Sequence, residues 1–259
     1  MKLACEIPIS ILEDISPYTD YDFVIGSYCL THPKYKEFYL KKARAKDRRM
    51  IVDNGAFEEG KAMDSSAYKD LVLELNPNTL VLPDVINDAK ETIKRTNEFF
   101  DKYDMLDAYH LMGVLQGQSI CDYMKCLEAY ASNDSIDIIG IPYHVFYRPL
   151  FIEKNNIIKF CRENAFVIHI LGLPNPWEVV ELTKFGSIIE SIDTSLPVVS
   201  GLARCNFNRG EFQRSRLDIN LSNISTGAIA LIQSNINYLK YLIHRNDEFL
   251  SPMSTPRRV

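Results

Sequence analysis

Hydrophobic residues along this chain gather into short, nearly unbroken runs rather than long amphipathic stripes. Eight recur: LACEIPIS from Leu3, DFVIGSYCL from Asp22, RMIVDNGAF from Arg49, TLVLPDVI from Thr79, YHLMGVLQG from Tyr109, IDIIGIPY from Ile136, AFVIHILGL from Ala165 and SIIESIDTS from Ser187. Continuous hydrophobicity over so few residues is the pattern of parallel strands covered on both faces. Most runs are followed by an amphipathic stretch with its own start signal. Asp64 stands where it caps SSAYKDLVLEL, and Asn87 or Asp88 where it caps AKETIKRTNEFFDKY, with Ile93 and Phe100 marking the expected buried stripe. SICDYMKCLEAYA follows the fifth run, and Asn175, Pro176 and Glu178 form an N-terminal signal for WEVVELTKF. The connection around SILEDISPYTDY is expected to hold little helix.

Strands alternating with helical crossovers predict an α/β fold, a (β/α)8 TIM barrel with a short C-terminal helical extension; an open doubly wound sheet is the alternative. The 259 residues agree with a single barrel, which typically takes roughly 250. Residues 1–200 are expected to form the barrel, and residues 201–259 a basic loop and helical appendage of the same domain. Within that appendage the helical pattern runs from about Thr226 to Arg245, and SPMSTPRRV reads as a frayed tail.

Composition narrows the setting. A chain that is 46% hydrophobic and 24% charged, with a net charge of -5, belongs to the ordinary globular class. Cys5, Cys29, Cys121, Cys126, Cys161 and Cys205 form neither a CxxC pair nor a tightly spaced framework, which suits a reducing compartment. The first residues lack a cleavage pattern, and no apolar run reaches the roughly 20 residues of a membrane helix. A cytoplasmic location is therefore expected, with no membrane partner. Mild acidity argues against bulk adhesion to nucleic acid and leaves room for a local basic groove.

Candidate chemistry sits where the runs end. In a barrel the C-terminal strand ends make the active-site face. Here they close on Asp53-Asn54-Gly55, Asp84, Gln116-Gly117, Gly140 and Asp193. Each has a plainer alternative: Asp53-Asn54-Gly55 as a turn, Asp84 as a loop start or cap, Asp193 as a cap for the next segment. Their conjunction on one face argues for a site. Among the histidines, His110 precedes a strand, His169 lies inside one as an interior residue, and His144 is the one placed for the mouth. No HxH, HExxH or glycine-rich phosphate loop is present, so a metallohydrolase or nucleotide-binding reading has little support.

The ordered set Asp-Asn-Gly-Ala-Phe, Leu-Pro-Asp, Val-Leu-Gln-Gly, Ile-Gly-Ile, Leu-Gly and Ile-Asp-Thr, between about Ile51 and Ser195, resembles the tRNA-guanine transglycosylase superfamily. Members of that superfamily use a (β/α)8 barrel to replace guanine in a polynucleotide by a 7-deazaguanine base. The resemblance implies Asp193 as nucleophile and Asp53 as general acid/base, although VDNGAF stands here where the family commonly has DSGGF or DSGGY. It implies Asp84, Gln116 and Gly140 as readers of the base edge, and Phe57 and Leu171 as the residues that sandwich its ring; Gly117 and Asn54, which stand in the same motifs, are further candidate substrate contacts. The tRNA enzymes carry a C-terminal zinc site built from cysteines and a histidine. Only Cys205 and His244 stand in the corresponding region, so no zinc or other cofactor is expected, and the chain looks more like the DNA-acting branch found in bacteriophages and bacterial modification systems.

Expected partners are therefore DNA, with tRNA as the alternative, and a free 7-deazaguanine base such as preQ0. A homodimer is left open. Arg204, Arg209, Arg214 and Arg216, interleaved with Phe207 and Phe212, read either as a polynucleotide-contacting group or as a solvated loop anchored by two phenylalanines. The rival functions are tRNA base exchange, a silent nucleic-acid or purine-binding barrel, and N-glycoside hydrolysis.

Overall fold

The computed structural model describes residues 1–45, 48–103, 106, 108–147 and 151–250; the expected tail from Ser251 lies outside them. In chain order, β1 (Lys2–Ala4) leads through short 3-10 turns and α1 (Leu12–Ile15) to β2 (Asp22–Ile25). Then come α2 (Gly26–Thr31), α3 (Pro33–Ala45), β3 (Met50–Asp53), α4 (Ala56–Glu59), α5 (Ser65–Leu75), β4 (Thr79–Val81), α6 (Ala89–Lys102) and β5 (His110–Val114). α7 (Ile120–Ala131), β6 (Ile136–Pro142), α8 (Tyr143–Tyr147), α9 (Phe151–Glu163), β7 (Val167–Leu171), α10 (Glu178–Thr183), β8 (Ile189–Asp193), α11 (Leu196–Leu202) and α12 (Thr226–Leu250) complete it. Each of the eight hydrophobic runs coincides with one strand, β1 starting one residue ahead of its run, and the first connection holds only single helical turns, as its sequence implies.

All eight strands pair in parallel in the order β1-β8-β7-β6-β5-β4-β3-β2. Neighbours in sequence are neighbours in space, without the reversal of a doubly wound sheet, so the sheet curls into a nearly closed (β/α)8 barrel. At the seam between β1 and β2, Asp20 takes the place of a ladder. Its N–H donates to the Leu3 carbonyl at 2.8 Å and its carboxylate accepts the Leu3 N–H at 2.9 Å.

The two-residue side-chain period divides each strand between two cores. Val24, Val52, Leu80, Leu111, Ile139, Ile168 and Ile192 face the helices, whereas Phe23, Ile25, Ile51, Val81, Met112, Val114 and Ile138 fill the barrel. Continued to the strand ends, the inward phase reaches Asp53, Gln116, Leu171 and Asp193. The helix starts follow side-chain chemistry: Asp64 accepts the N–H groups of Ser66 and Ala67, and Asp88 rather than Asn87 accepts that of Glu91. Two expectations shift. The buried stripe of α6 is Ala89, Thr92, Thr96 and Phe99, with Ile93 and Phe100 only partly buried at its margins. Asn175 starts a turn, accepting the Trp177 N–H at 3.0 Å, and the helix itself begins at Glu178.

After β8 the chain does not leave the barrel. α12 packs on α11, α10 and α1, burying Ile232, Ile236, Leu239 and Ile243 in the same core as the outward strand faces. No described helix is long and apolar enough to cross a membrane.

Candidate active site

The strand ends open into a cavity of about 510 Å³, within the range of small-molecule pockets. Its lining includes Glu6, Asp53, Phe57, Glu58, Asp84, Gln116, His144, Leu171, Asp193, Arg214 and Arg216. Five carboxylates thus share one mouth with two arginines.

Asp53 ends β3 in a turn that is also a presentation device. Its Oδ1 accepts the Gly55 N–H at 2.6 Å, and Asn54 Oδ1 accepts the Ala56 N–H at 2.9 Å, successive Asx turns that carry Gly55 into the left-handed region at φ 75°. The motif is thus a turn, and that turn sets Asp53 on the cavity lining. Burial raises the proton affinity of Asp53 well above the carboxylate range, with the negative charges of Glu58 and Asp84 adding to it.

Asp84, 4% exposed, is no helix cap. Its two oxygens accept Asn54 Nδ2 at 2.8 Å and Gln116 Nε2 at 2.6 Å. Burial raises its proton affinity, and these two donors act against the rise. Gln116 is fixed from its other end, where Oε1 accepts the Asn87 N–H at 3.0 Å. Asn54 is not a lining residue: its amide is spent on Asp84, the Leu82 carbonyl and Ala56, so it braces the site from behind. Gly117 also stands off the cavity. A Cβ there would lie 2.3 Å from that of Asp122, so close packing on α7 accounts for this glycine. Gly140 faces inward on β6, beside Met112 and Leu171, one step below the lining.

Asp193 ends β8 with 5% of its surface exposed, and its Oδ1 accepts the Gly172 N–H at 3.3 Å. Capping of the following segment falls instead to Thr194, whose hydroxyl accepts the Leu196 N–H at 3.0 Å. His169, read from sequence as a plain interior residue, is interior and also reaches this carboxylate, with Nε2 3.1 Å from Asp193 Oδ1. His144 does line the mouth, so two histidines attend the site rather than one.

Phe57 stands on the rim, 74% exposed, and Leu171 lines the cavity from β7. The four arginines divide. Arg216 donates to the Glu58 carbonyl at 2.7 Å and Arg214 to the Tyr143 hydroxyl at 3.3 Å, both on the lining, whereas Arg204 and Arg209 are not lining residues. Sequence reading missed Glu6 and Glu58. Glu6 lies inside the first run, two residues past β1, and Glu58 follows Phe57, and neither closes a strand. Burial, together with nearby carboxylates, pushes both up to about 8.

Among the described residues no group of three or more His, Cys, Asp or Glu side chains is placed to hold a metal ion. No protein-family model matches this chain, and no curated protein does either.

Proposed function

We propose that this barrel is a base-exchange transglycosylase that replaces guanine in DNA by a 7-deazaguanine base of the preQ0 type. The observation that carries the reading is the hydrogen-bonding capacity left over at Asp84 and Gln116. Each Asp84 oxygen has accepted one hydrogen and can accept another, while Gln116 Nε2 retains one N–H. Two acceptors beside one donor complement the N1–H, the 2-amino group and the O6 of guanine. A 7-deazaguanine presents the same edge, so one pocket serves both the leaving and the incoming base.

The rest of the mouth supplies the exchange. A lone pair of the Asp193 carboxylate forms a bond to C1′ of the sugar while the C1′–N9 pair departs with guanine, through the oxocarbenium-like route of retaining glycosidases. Asp53, which binds a proton more tightly than an ordinary carboxylate, delivers one to the departing base. The incoming base then returns that proton to Asp53, attacks C1′ and releases Asp193, so the cycle is neutral in protons. Two carboxylates in unlike environments can divide the roles of acid/base and nucleophile. The target nucleotide must leave its stack to enter, at a cost of a few kcal/mol in duplex. DNA is preferred over tRNA as the polymer because only Cys205 and His244 stand where the tRNA enzymes hold zinc.

Isotope-labelled 7-deazaguanine bases, incubated with the protein and either DNA or tRNA and followed by nucleoside mass analysis, test this directly. Label is expected in DNA. Label in tRNA alone changes the polymer, guanine release without label selects the hydrolase instead of exchange, and label in neither polymer sinks the proposal. Asp193→Ala is expected to abolish both exchange and any trapped protein–sugar adduct.

A further inference from the structure

The imidazole of His169 is completely buried, with a relative exposure of 0%, and both ring nitrogens are engaged. Nδ1 lies 2.8 Å from Ser191 Oγ and Nε2 lies 3.1 Å from Asp193 Oδ1. A carboxylate only accepts, so Nε2 carries the hydrogen, and in a neutral ring Nδ1 is then the acceptor of the Ser191 hydroxyl. The ring plane is set by packing: Phe23 lies parallel to it at 5.7 Å and 3°, and Tyr21 meets it edge-on at 6.3 Å. Tyr21 is itself anchored to β8, donating its hydroxyl to the Ile192 carbonyl at 2.8 Å.

An interior histidine needs partners, because a buried polar group without them is costly. That requirement does not explain why one partner is the carboxylate at the cavity. The second donor to Asp193, the Gly172 N–H, falls on the same oxygen, Oδ1. These two contacts leave the lone pairs of Oδ2 uncommitted. We infer that His169 is the positioning residue of the nucleophile: with Gly172 it holds Asp193 by Oδ1 and so assigns Oδ2 as the oxygen that bonds to the sugar. The inference rests on the base-exchange reading. In the first half of the exchange Oδ2 gives its lone pair to C1′ as the C1′–N9 pair leaves with guanine, and Oδ1 becomes the carbonyl oxygen of the ester. In the second half the C1′–Oδ2 pair returns to the carboxylate as the incoming base attacks, and the Nε2–H and Gly172 N–H meet the charge that returns to Oδ1.

The test compares His169→Gln with His169→Asn in the full chain. Both put the same amide in the same cage, and only the longer side chain brings its N–H near the position of Nε2. Three quantities are read: affinity for free guanine by calorimetry, the trapped protein–sugar adduct on guanine-containing DNA, and kcat and KM for labelled base. Guanine affinity and KM are expected to stay at wild-type values in both variants. H169N is expected to lose about 10- to 100-fold in kcat and in adduct formation, and H169Q to recover most of it. Equal kcat in the two variants overturns the assignment. If both lose guanine affinity, Ser191→Ala decides, since it keeps the imidazole: a lower kcat at unchanged KM supports the role and an unchanged kcat rejects it. A wild type that forms no adduct and incorporates no label overturns the exchange reading and this inference together, whereas an active wild type with H169N equal to it overturns the inference alone.

Discussion

The mouth gathers five carboxyl side chains against two arginines. Glu6 and Glu58 are pushed up to about 8 by burial and by their acidic neighbours, with Arg216 acting against the shift. A carboxyl with a raised affinity holds its proton in the folded state at a pH where the unfolded chain has lost it. Its contribution is therefore complete below the ordinary glutamate range and is lost as pH rises toward 8. Thermal unfolding should show stability falling across that window, and Glu58→Gln should recover roughly 2–4 °C at pH 8.5 while changing little at pH 4.5; a variant that tracks the wild type at both values would show that Glu58 does not hold its proton in the folded mouth. Burial raises the proton affinity of Asp84 too, but its hydrogen-bond partners Asn54 and Gln116 are donors that act against the rise. Asp84→Asn sets an amide N–H against Asn54 Nδ2 or Gln116 Nε2 and, on the base-exchange proposal, removes an acceptor for the base edge, so guanine affinity by calorimetry should fall about 10- to 100-fold. Unchanged affinity would leave Asp84 as loop scaffolding. Asp53, Asp84, Gln116 and Asp193 were legible in the sequence because each closes a hydrophobic run and so falls at the mouth. Glu6, Glu58 and the bond from His169 to Asp193 were not, since they depend on which residues of separate elements face one another across the barrel.

At the scale of elements, strand positions could be read because a buried parallel strand must be apolar on both faces, which leaves a run that no exposed helix produces. Helix starts were readable where a single side chain decides them, as at Asp64 and Asp88. Packing decided the rest. Threonines rather than Ile93 and Phe100 occupy the centre of the α6 stripe, and the sequence gives no sign of how closely α11 approaches α12. That approach turns on Gly201, where an added Cβ would lie 2.5 Å from Ile232 Cγ1 and 2.8 Å from the Ile232 backbone nitrogen. Glycine to alanine within a helix gains ~1 kcal/mol in propensity, whereas forcing a methyl group into packed backbone costs about 1–3 kcal/mol. Because one obstacle is main chain and cannot rotate away, the clash should win. Gly201→Ala is expected to lower the unfolding temperature, and a stabilised variant would show that the two helices part without cost.

On the scale of the whole molecule, α12 turns the expected appendage into part of the barrel wall. It packs on α1 near the seam that Asp20 closes, and Lys240 reaches from it to Asp20 at 2.5 Å and to the Tyr18 carbonyl at 3.2 Å. Charge is distributed just as unevenly. The chain carries a net charge of -5 and an acidic mouth, so a polyanion gains nothing from the overall field and must be held by local contacts. Of the four arginines in the segment after β8, Arg214 and Arg216 line the mouth, and Arg214 lies over the Tyr143 ring at 5.8 Å. Phe212, between them and Arg209 in sequence, packs edge-on against Trp177 at 5.6 Å, adding aromatic surface to the same segment. Each phosphate neutralised steepens the logarithmic dependence of affinity on salt by about 0.9 for duplex and about 0.7 for single-stranded DNA. Binding of a guanine-containing oligonucleotide, followed by fluorescence anisotropy between 50 and 200 mM salt, should therefore lose about one such increment with Arg214→Ala and another with Arg216→Ala. Arg204→Ala and Arg209→Ala should leave the slope unchanged. The reverse pattern would place the polynucleotide path away from the mouth and would separate DNA binding from the proposed exchange site.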